Sequence, residues 1–264
     1  GQTSVQVRTP VSDDLLDEAA ESFTLTAAVT AGTTSNASAA GTGTIGDNDG
    51  APSVTIDDVT RNEAAGTITF TVTLDAPSAL AVSVDYATVA GTATGADYAA
   101  GVDGLSGTLS FAAGVTSQTI TLAIVDDAVF EASESFVINL SNAVNAAIGD
   151  GQGVGTIRDD GTGGGGTDDD TPSLSVSGAA VIEGTDNFAV FTVSLSNAST
   201  SDVSFNLALA NSTALGGGVD YGTGGAGNLQ VFVGGVWVDA ASATIAAGQT
   251  SVQVRTPVSD DLLD

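Results

Sequence analysis

The chain has 264 residues, with 32 acidic side chains against 4 basic ones, a net charge of −28, and neither cysteine nor histidine. Disulfides, thiolate metal sites and His-based catalytic triads are therefore excluded, and zinc, copper and haem sites are disfavoured. The charge argues against nucleic acid and anionic lipid as partners, and no apolar run is long enough for membrane insertion.

Alternating apolar and polar residues predict β-strands along most of the chain. The alternation first appears at Phe23 and Leu25, and it is clearest between Thr67 and Leu74, where apolar residues alternate with threonines. This period of two is typical of half-buried strands, and short strands separated by turns predict an all-β sandwich of antiparallel sheets. The same period recurs in three further segments, at residues 82–86, 120–124 and 136–140.

The chain also repeats itself at fixed spacings. Residues 1–17 recur without change at residues 248–264, an offset of 247. Residues 3–23 match residues 116–136 at a constant offset of 113. Such periodicity is typical of tandem arrays of one structural unit. We therefore expect the sequence to be a window on a longer array of two alternating domain types that continues beyond both ends.

The repeats divide the chain into one complete unit and two partial ones. Residues 51–160 are predicted to form a complete domain, residues 1–50 the C-terminal part of a preceding domain, and residues 171–264 the N-terminal part of a following domain. Residues 161–170, with the sequence GTGGGGTDDD, predict a flexible Gly/Asp-rich linker. Because an incomplete sandwich exposes strand edges, we expect the two end pieces to pair head to tail, between neighbouring chains or along a continuous fibre. The alternative is that both ends are frayed.

The last partial domain carries an insertion that predicts a β-hairpin. Apolar runs at residues 231–233 and 236–238 flank Gly234-Gly235, a pair that favours a two-residue turn. We interpret Trp237 as a residue that covers the edge of the core. A platform for stacking sugars is the alternative.

The acidic residues are concentrated at predicted strand ends and turns. A salt-adapted, highly soluble surface would explain the charge alone. Carboxylates that converge at one end of a sandwich repel one another, however, and calcium relieves this by accepting roughly six to eight oxygen ligands in flexible geometry. Recurrence at fixed offsets favours the calcium site. In the complete domain the acids are Glu63, Asp97, Asp126, Asp127, Glu131, Glu134, Asp159 and Asp160.

Together these residues form a pattern that resembles the Calx-beta domain. It consists of an early Glu63, the pair Asp97-Tyr98, the motif D-D-x3-E-x2-E-S-F at residues 126–136, and G-T-I-x-D-D at residues 155–160. The resemblance implies tandem, seven-stranded, immunoglobulin-like antiparallel β-sandwiches that bind calcium through acids at one end. The family occurs in sodium–calcium exchangers and, as tandem arrays, in bacterial surface adhesins.

The resemblance also implies a set of calcium ligands by position. Asn48 replaces the second acid of the closing pair in the first partial domain. Glu21 and Glu134 each precede a core phenylalanine and are interpreted either as ligands or as surface and turn residues. Residues 168–170 are interpreted either as linker charge or as additional ligands. The implied ligands are Glu63, Asp97, Asp126, Asp127, Asp159 and Asp160 in the complete domain, Asp13, Asp14, Asp47 and Asp49 in the first partial domain, and Glu183, Asp220, Asp260 and Asp261 in the last.

A structural role is the predicted function. We expect a calcium-stabilised extender repeat of a large extracellular adhesin or surface filament, whose partners are neighbouring repeats of the same protein. The alternative is a calcium-sensing regulatory binding module. No enzymatic activity is expected, because carboxylates repeated in every unit suit a repeated structural role better than one active site.

Overall fold

The computed structural model describes residues 1–95, 97–98, 105–167, 169–222 and 228–260. These residues form twenty β-strands and one short 3-10 turn, η1, which confirms the predicted all-β fold. None of the described segments is a helix with the length and hydrophobicity needed to cross a bilayer. In chain order the elements are β1 (Glu21–Ala28), β2 (Ser38–Ile45), β3 (Ser53–Ile56), β4 (Val59–Asn62), η1 (Glu63–Ala65), β5 (Thr67–Leu74), β6 (Val82–Ala90), β7 (Ser106–Phe111), β8 (Ser117–Ala123), β9 (Val129–Phe130), β10 (Glu134–Val144), β11 (Ala147–Ile148), β12 (Gln152–Arg158), β13 (Leu174–Val176), β14 (Phe188–Leu195), β15 (Ala198–Ser199), β16 (Val203–Asn206), β17 (Gln230–Val233), β18 (Val236–Asp239), β19 (Ser242–Ile245) and β20 (Ser251–Pro257).

Two facing sheets form a sandwich between residues 53 and 158. The first sheet has the order β4-β12-β10-β6-β7 and the second the order β11-β3-β5-β8. Neighbouring strands are antiparallel except for the pairs β4–β12 and β3–β11. The family resemblance implies seven strands. The structure divides the first of them into β3 and β4 and adds the two-residue β11.

The apolar residues of the alternating segments fill the space between these sheets. In β5 every second residue is buried, and the threonines lie on the opposite face, as the period of two predicts. The rings of Phe70 and Phe136 meet edge to face with centroids 5.9 Å apart, and Tyr98 packs on Phe136 at 5.8 Å. Full burial of side chains of this size contributes about 1.5–3 kcal/mol each.

The directions of the strands bring the acidic turns to one end of the sandwich. Glu63 lies in η1, directly before β5 begins, and Asp97 follows β6. At the same end β10 begins with Glu134, and β12 ends one residue before Asp159. Antiparallel neighbours begin and end at the same edge, so residues far apart in the sequence become neighbours here.

Strands β1 and β2 form a hairpin that matches the β10–β12 pair and, within the described residues, pairs with no other strand. Phe23 lies opposite Gly43 in the hairpin, as Phe136 lies opposite Gly155 in the sandwich. The surroundings differ, because Phe136 is 2% exposed whereas Phe23 is 42% exposed. The first partial domain therefore has the local structure of a core strand pair without a core around it.

The last partial domain has a five-stranded sheet, β13-β14-β20-β17-β18, and the pair β16–β19. The hairpin predicted around Gly234-Gly235 is confirmed as β17–β18. Trp237 contacts Phe232, with ring centroids 5.1 Å apart. The guanidinium of Arg255 lies 4.3 Å from the Trp237 ring and 3.7 Å from that of Phe188, an arrangement that favours cation–π attraction.

The glycine-rich linker packs against the complete domain. Asn62 N donates a hydrogen bond to Gly164 O at 3.1 Å. A Cβ atom on Gly163 would lie 2.9 Å from the carbonyl carbon of Arg61, and one on Gly166 would lie 2.7 Å from Asn62 Oδ1. The glycines thus allow close backbone approach, where composition alone predicts a flexible tether.

Short parallel bridges join consecutive units. β9 pairs with β15, and Thr200 N donates to Phe130 O at 2.9 Å. The same contact occurs one unit earlier, where Ala79 N donates to Asp17 O at 2.9 Å. In the earlier joint the segment that follows an acidic pair contacts the loop after β5. In the later joint the corresponding segment contacts the loop after β14, the counterpart of β5.

Candidate metal centre

Six carboxylates form two groups of three at the acidic end of the complete unit. In each group, one oxygen of every carboxylate lies within 4.8 Å of an oxygen of the other two. Two oxygens that bind the same calcium ion, each at about 2.3–2.6 Å, lie at most about 5 Å apart, so the spacing in each group suits one shared ion. The first group is Asp97, Glu131 and Glu134, and the second is Glu63, Asp159 and Asp170.

The first group is positioned by a turn and by the start of a strand. Thr94 N donates to Asp97 Oδ2, and Val125 N donates to Asp97 O at 2.9 Å. Glu134 is the first residue of β10, two residues before the buried Phe136. Because side chains two apart on a strand share a face, Glu134 points toward the inside of the sandwich.

The second group is positioned by η1 and by the end of β12. Glu63 is 4% exposed, and its Oε1 accepts a hydrogen bond from Asp127 N at 3.4 Å. The side chain of Asn62 caps the turn that holds Glu63. Asp159 Oδ2 accepts a hydrogen bond from Glu131 N at 2.8 Å, so the backbone of the first group contacts a carboxylate of the second.

Burial and mutual repulsion raise the pKa of most of these carboxyls. The pKa of Glu131 rises to about 8, first through burial and then through the neighbouring Asp97 and Glu134. Burial is also the main cause that raises the pKa of Glu63 and Glu134 to about 7 and the pKa of Asp159 to about 6. For Asp97, burial acts in the same direction, but hydrogen bonds to its carboxylate outweigh it and lower the pKa.

Within the described residues, the buried oxygens Glu134 Oε2 and Asp159 Oδ1 of these groups have no hydrogen-bond partner. An unpaired buried polar group costs about 1–3 kcal/mol, and more when it is charged. A divalent cation would satisfy both oxygens and offset the repulsion between the carboxylates. A donor set made only of oxygens in an irregular arrangement fits calcium better than the strict octahedron of magnesium.

The Calx-beta domain family matches residues 46–161 and 167–238 of this chain. The chain belongs to this family. A search of curated protein sequences gave no match. Among solved structures, the apo-form Calx CBD1 domain is 28% identical with a TM-score of 0.35, over 40% of this chain and 96% of that chain. CBD12 from CALX1.2 is 19% identical with a TM-score of 0.38, over 78% of this chain and 74% of that chain. The calcium binding domain CBD12 of CALX1.1 is also 19% identical, with a TM-score of 0.37, over 79% of this chain and 76% of that chain.

The structure brings only part of the predicted ligand set of the complete Calx-beta domain together. Asp127 and Asp160 each accept a hydrogen bond from the amide two residues later, at 2.7 and 3.0 Å, as in an Asx turn. Asp126 is exposed, and its charge contributes to the raised pKa of Glu63. These three aspartates lie outside both groups and stay predicted ligands. The predicted ligands that lie within the groups are Glu63, Asp97 and Asp159.

Three members of the groups lie outside the implied ligand set. They are Glu131, Glu134, for which the sequence leaves a ligand role and a surface or turn role open, and Asp170. The signal for Glu134 was present in the sequence, because the strand period that buries Phe136 also turns Glu134 inward. For Asp170 the sequence leaves linker charge and a ligand role as alternatives. The path of the linker over η1 brings it to Glu63, and no sequence spacing indicates that path.

The ligands predicted in the first partial Calx-beta domain surround a cavity of about 50 Å³. Glu18 N donates to Asp47 Oδ2 at 2.9 Å, which reproduces the bond between Glu131 and Asp159. This piece therefore holds one half of the acidic site without the counterparts of Glu63 and Asp97. The carboxylates that line its cavity are Asp13, Asp14, Glu18, Glu21, Asp47 and Asp49.

The last partial domain holds the other half. Glu183 and Asp220 border a largely apolar cavity of about 360 Å³. Ser259 N donates to Asp220 O at 3.0 Å, the counterpart of the bond that fixes Asp97. The carboxylate of Asp260 lies beside Gly184, 3.2 Å from where a Cβ atom would stand. Asp261 lies outside the described residues.

Proposed function

We propose that this chain is a calcium-stabilised structural extender repeat of a large extracellular adhesin or surface filament. The observation that carries the proposal is the group Glu63, Asp159 and Asp170. The first two carboxylates belong to the complete Calx-beta domain, and Asp170 belongs to the linker that leads into the next domain. A calcium ion bound there would hold the end of one domain to the start of the next.

Calcium would act first on the stability of the domain. Without it, Asp97, Glu131 and Glu134 repel one another in a partly buried site, where burial first and the neighbouring carboxylates second raise the pKa of the two glutamates. An ion that binds the folded chain and not the unfolded one stabilises the fold by mass action. A free concentration one hundred times the Kd gives about 2.7 kcal/mol per site.

Calcium would act second on the joint between domains. The side chain of Asn197, in the last domain, donates a hydrogen bond to Asp170 O. β9, which directly precedes Glu131, pairs with β15 of the same domain. Segments that carry ligands are thus attached to the next domain on both sides of the acidic end, so ordering them would stiffen the joint.

An extracellular or cell-surface location is part of this proposal. Extracellular modules bind calcium with Kd values of about 10⁻⁴–10⁻³ M, so sites of modest affinity are filled outside cells. The net charge of −28 would keep the surfaces of such a filament soluble and mutually repulsive. Its partners would be neighbouring repeats of the same protein.

Thermal unfolding and small-angle X-ray scattering, each in chelator and in millimolar calcium, test this function. We expect calcium to raise the Tm and to narrow the range of distances between domains. Asp170→Asn should reduce the narrowing, and the matched control Asp150→Asn removes one charge at the opposite end of the sandwich. The extender function fails if calcium changes neither quantity. A calcium-driven change of the mean interdomain angle without narrowing would instead support the regulatory module.

A further inference from the structure

We infer that the parallel strand pair β4–β12 is the mechanical clamp of the complete Calx-beta domain, the contact that keeps this domain folded when its two ends are pulled apart. That such tension acts on the chain rests on the extender function proposed above. The clamp itself follows from the order of the strands and from the contacts between the first and the last strand of the domain.

The chain enters and leaves this domain at opposite ends. Asp75 N, directly after β5, donates a hydrogen bond to Ser53 O at 3.0 Å, so β3 begins at the end where β5 finishes. β12 ends at Arg158, next to Asp159 at the acidic end, where β5 begins. Tension transmitted through the neighbouring domains therefore pulls the first strand toward one end of the sandwich and the last strand toward the other.

The first and last strands are direct neighbours and run in the same direction. β4 pairs with β12 in parallel, from Val59 opposite Gly155 to Asn62 opposite Arg158. The hydrogen bonds of a parallel pair are evenly spaced along both strands. When such strands are pulled from opposite ends, they can only slide along each other, and all of these bonds are loaded together. If both strands were pulled from the same end, the bonds would break one after another.

Further contacts tie the first strand to the last part of the domain. In the second sheet β3 pairs in parallel with β11, and Gly149 N donates to Val54 O at 2.9 Å. Where the chain crosses from β3 to β4, Val154 N donates to Asp58 Oδ1 at 2.7 Å. Val54 and Val59 are buried, so sliding would also expose apolar side chains to water.

A glycine in β12 permits this close approach. A Cβ atom on Gly153 would lie 2.6 Å from Asp57 O and 2.9 Å from Ile56 Cγ1, both closer than van der Waals contact. Glycine has no Cβ, so β12 can pass directly beside the segment where the first strand changes sheets. The contact between the first and last strands is therefore continuous across both sheets.

The second group of carboxylates lies at the acidic end of the same strand pair. Glu63 directly follows β4, Asp159 directly follows β12, and Asp170 is the third member. A calcium ion shared by Glu63 and Asp159, as proposed above, would tie the ends of the two strands together. The ion would have to leave its ligands before the strands could slide, so calcium should raise the force at which the domain unfolds.

Optical tweezers with handles attached at pairs of cysteines test the clamp, because the chain has no cysteine of its own. Asp57→Cys with Thr162→Cys pulls β4 and β12 from opposite ends, whereas Asp57→Cys with Gln152→Cys pulls them from the same end. All three positions are exposed. In chelator, the opposite-end pair should unfold at a force several-fold higher than the same-end pair. Equal forces in the two directions would overturn the inference.

Two alanine variants of the opposite-end pair separate mechanical strength from stability. Asp58→Ala removes the bond from Val154 N, between the two loaded strands. Asp75→Ala removes a bond of the same length, from Ser53 N, which lies away from that strand pair. Chemical unfolding should show similar losses of stability in both variants, whereas the unfolding force should fall only in Asp58→Ala. An equal fall in force in both variants would contradict the clamp.

Pulling in calcium separates this inference from the function proposed above. The opposite-end pair should unfold at a higher force in millimolar calcium than in chelator. If calcium changes neither this force nor the Tm, the calcium-stabilised extender fails, and a difference between the two pulling directions still supports the clamp. If calcium raises the Tm but the two directions give equal forces, the clamp fails and the stabilisation by calcium stands.

Discussion

Ala79 N donates a hydrogen bond to Asp17 O at 2.9 Å, and this bond joins the first partial domain to the loop after β5 of the complete domain. It recurs with the same length between Thr200 and Phe130, where the complete domain meets the last one. The residues at the accepting carbonyl are an aspartate in one joint and a phenylalanine in the other. The main-chain bond is therefore common to both joints, and the hydroxyls of Ser78 and Thr200 also donate to these carbonyls, at 3.3 and 3.4 Å.

Thr200→Pro should loosen the joint between the complete domain and the last one. Proline has no N–H, so the bond to Phe130 O is lost, and a net contribution of about 0.5–1.5 kcal/mol goes with it. Small-angle scattering in calcium should then show a broader range of interdomain distances. Thr200→Ser keeps both the amide and the hydroxyl, which also donates to Phe130 O, and should leave the scattering unchanged. Equal broadening in both variants would contradict a joint made by the main chain.

Glu131→Gln should stabilise the calcium-free domain at pH 8 and reduce the stabilisation that calcium gives. The substitution removes a negative charge beside Asp97 and Glu134, but an amide is a weaker calcium ligand than a carboxylate. The measurement is the Tm in chelator and in millimolar calcium. Asp150→Asn is the control for the loss of one charge. If calcium raises the Tm of Glu131→Gln as much as that of the unsubstituted chain, Glu131 is not a calcium ligand.

The free energy of unfolding without calcium should fall as the pH rises from about 5 to about 8. The pKa values of Glu63 and Glu134 in the folded state are raised to about 7 and that of Glu131 to about 8. The pKa of a glutamate in the unfolded chain is about 4.3, so the folded chain binds more protons than the unfolded chain in this pH range. The contribution of these groups is complete below the unfolded pKa and is lost as the pH rises through the folded pKa.

Calcium should reverse this pH dependence. The ion requires deprotonated carboxylates, so the gain in stability that it gives should grow from pH 5 to pH 8 as protons are displaced. Urea unfolding at several pH values, in chelator and in calcium, measures both effects. If the free energy of unfolding of the calcium-free chain did not depend on pH, this would contradict the raised pKa values of Glu63, Glu131 and Glu134.

Phe136→Ala and Phe23→Ala should differ widely in their effect on stability. Phe136 is buried between the sheets, and its loss should cost about 3–5 kcal/mol. Phe23 is exposed in the isolated hairpin, so its loss should cost less than about 0.5 kcal/mol in dilute solution. Chemical unfolding of both variants at low protein concentration makes the comparison. Similar losses would contradict the exposed position of the hairpin.

Most of the fold could be predicted from local patterns. The alternation from Thr67 to Leu74 predicts the strand β5 and its buried face, and Gly234-Gly235 predicts the hairpin β17–β18. Both signals come from residues close together in the sequence. The resemblance to Calx-beta domains supplied the arrangement of the sheets, which a single sequence without that likeness does not determine.

The acidic site could be predicted only in outline. The resemblance to Calx-beta domains implies Glu63, Asp97 and Asp159 as ligands, but Glu131 depends on a loop conformation and Asp170 on the path of the linker. The glycines of that linker permit close packing as well as flexibility, so composition does not distinguish the two. Contacts formed across a linker are set by three-dimensional packing, which has no period in the sequence.

The width of the distribution of distances across the joint measures calcium-dependent stiffening. Spin labels at Thr119→Cys, on β8, and Ser204→Cys, on β16, would report that distance by pulsed electron paramagnetic resonance. Both positions are exposed, on the complete domain and the last one respectively. We predict a broad distribution in chelator and a narrow one in saturating calcium. A distribution of equal width in the two conditions would mean that calcium does not stiffen the joint.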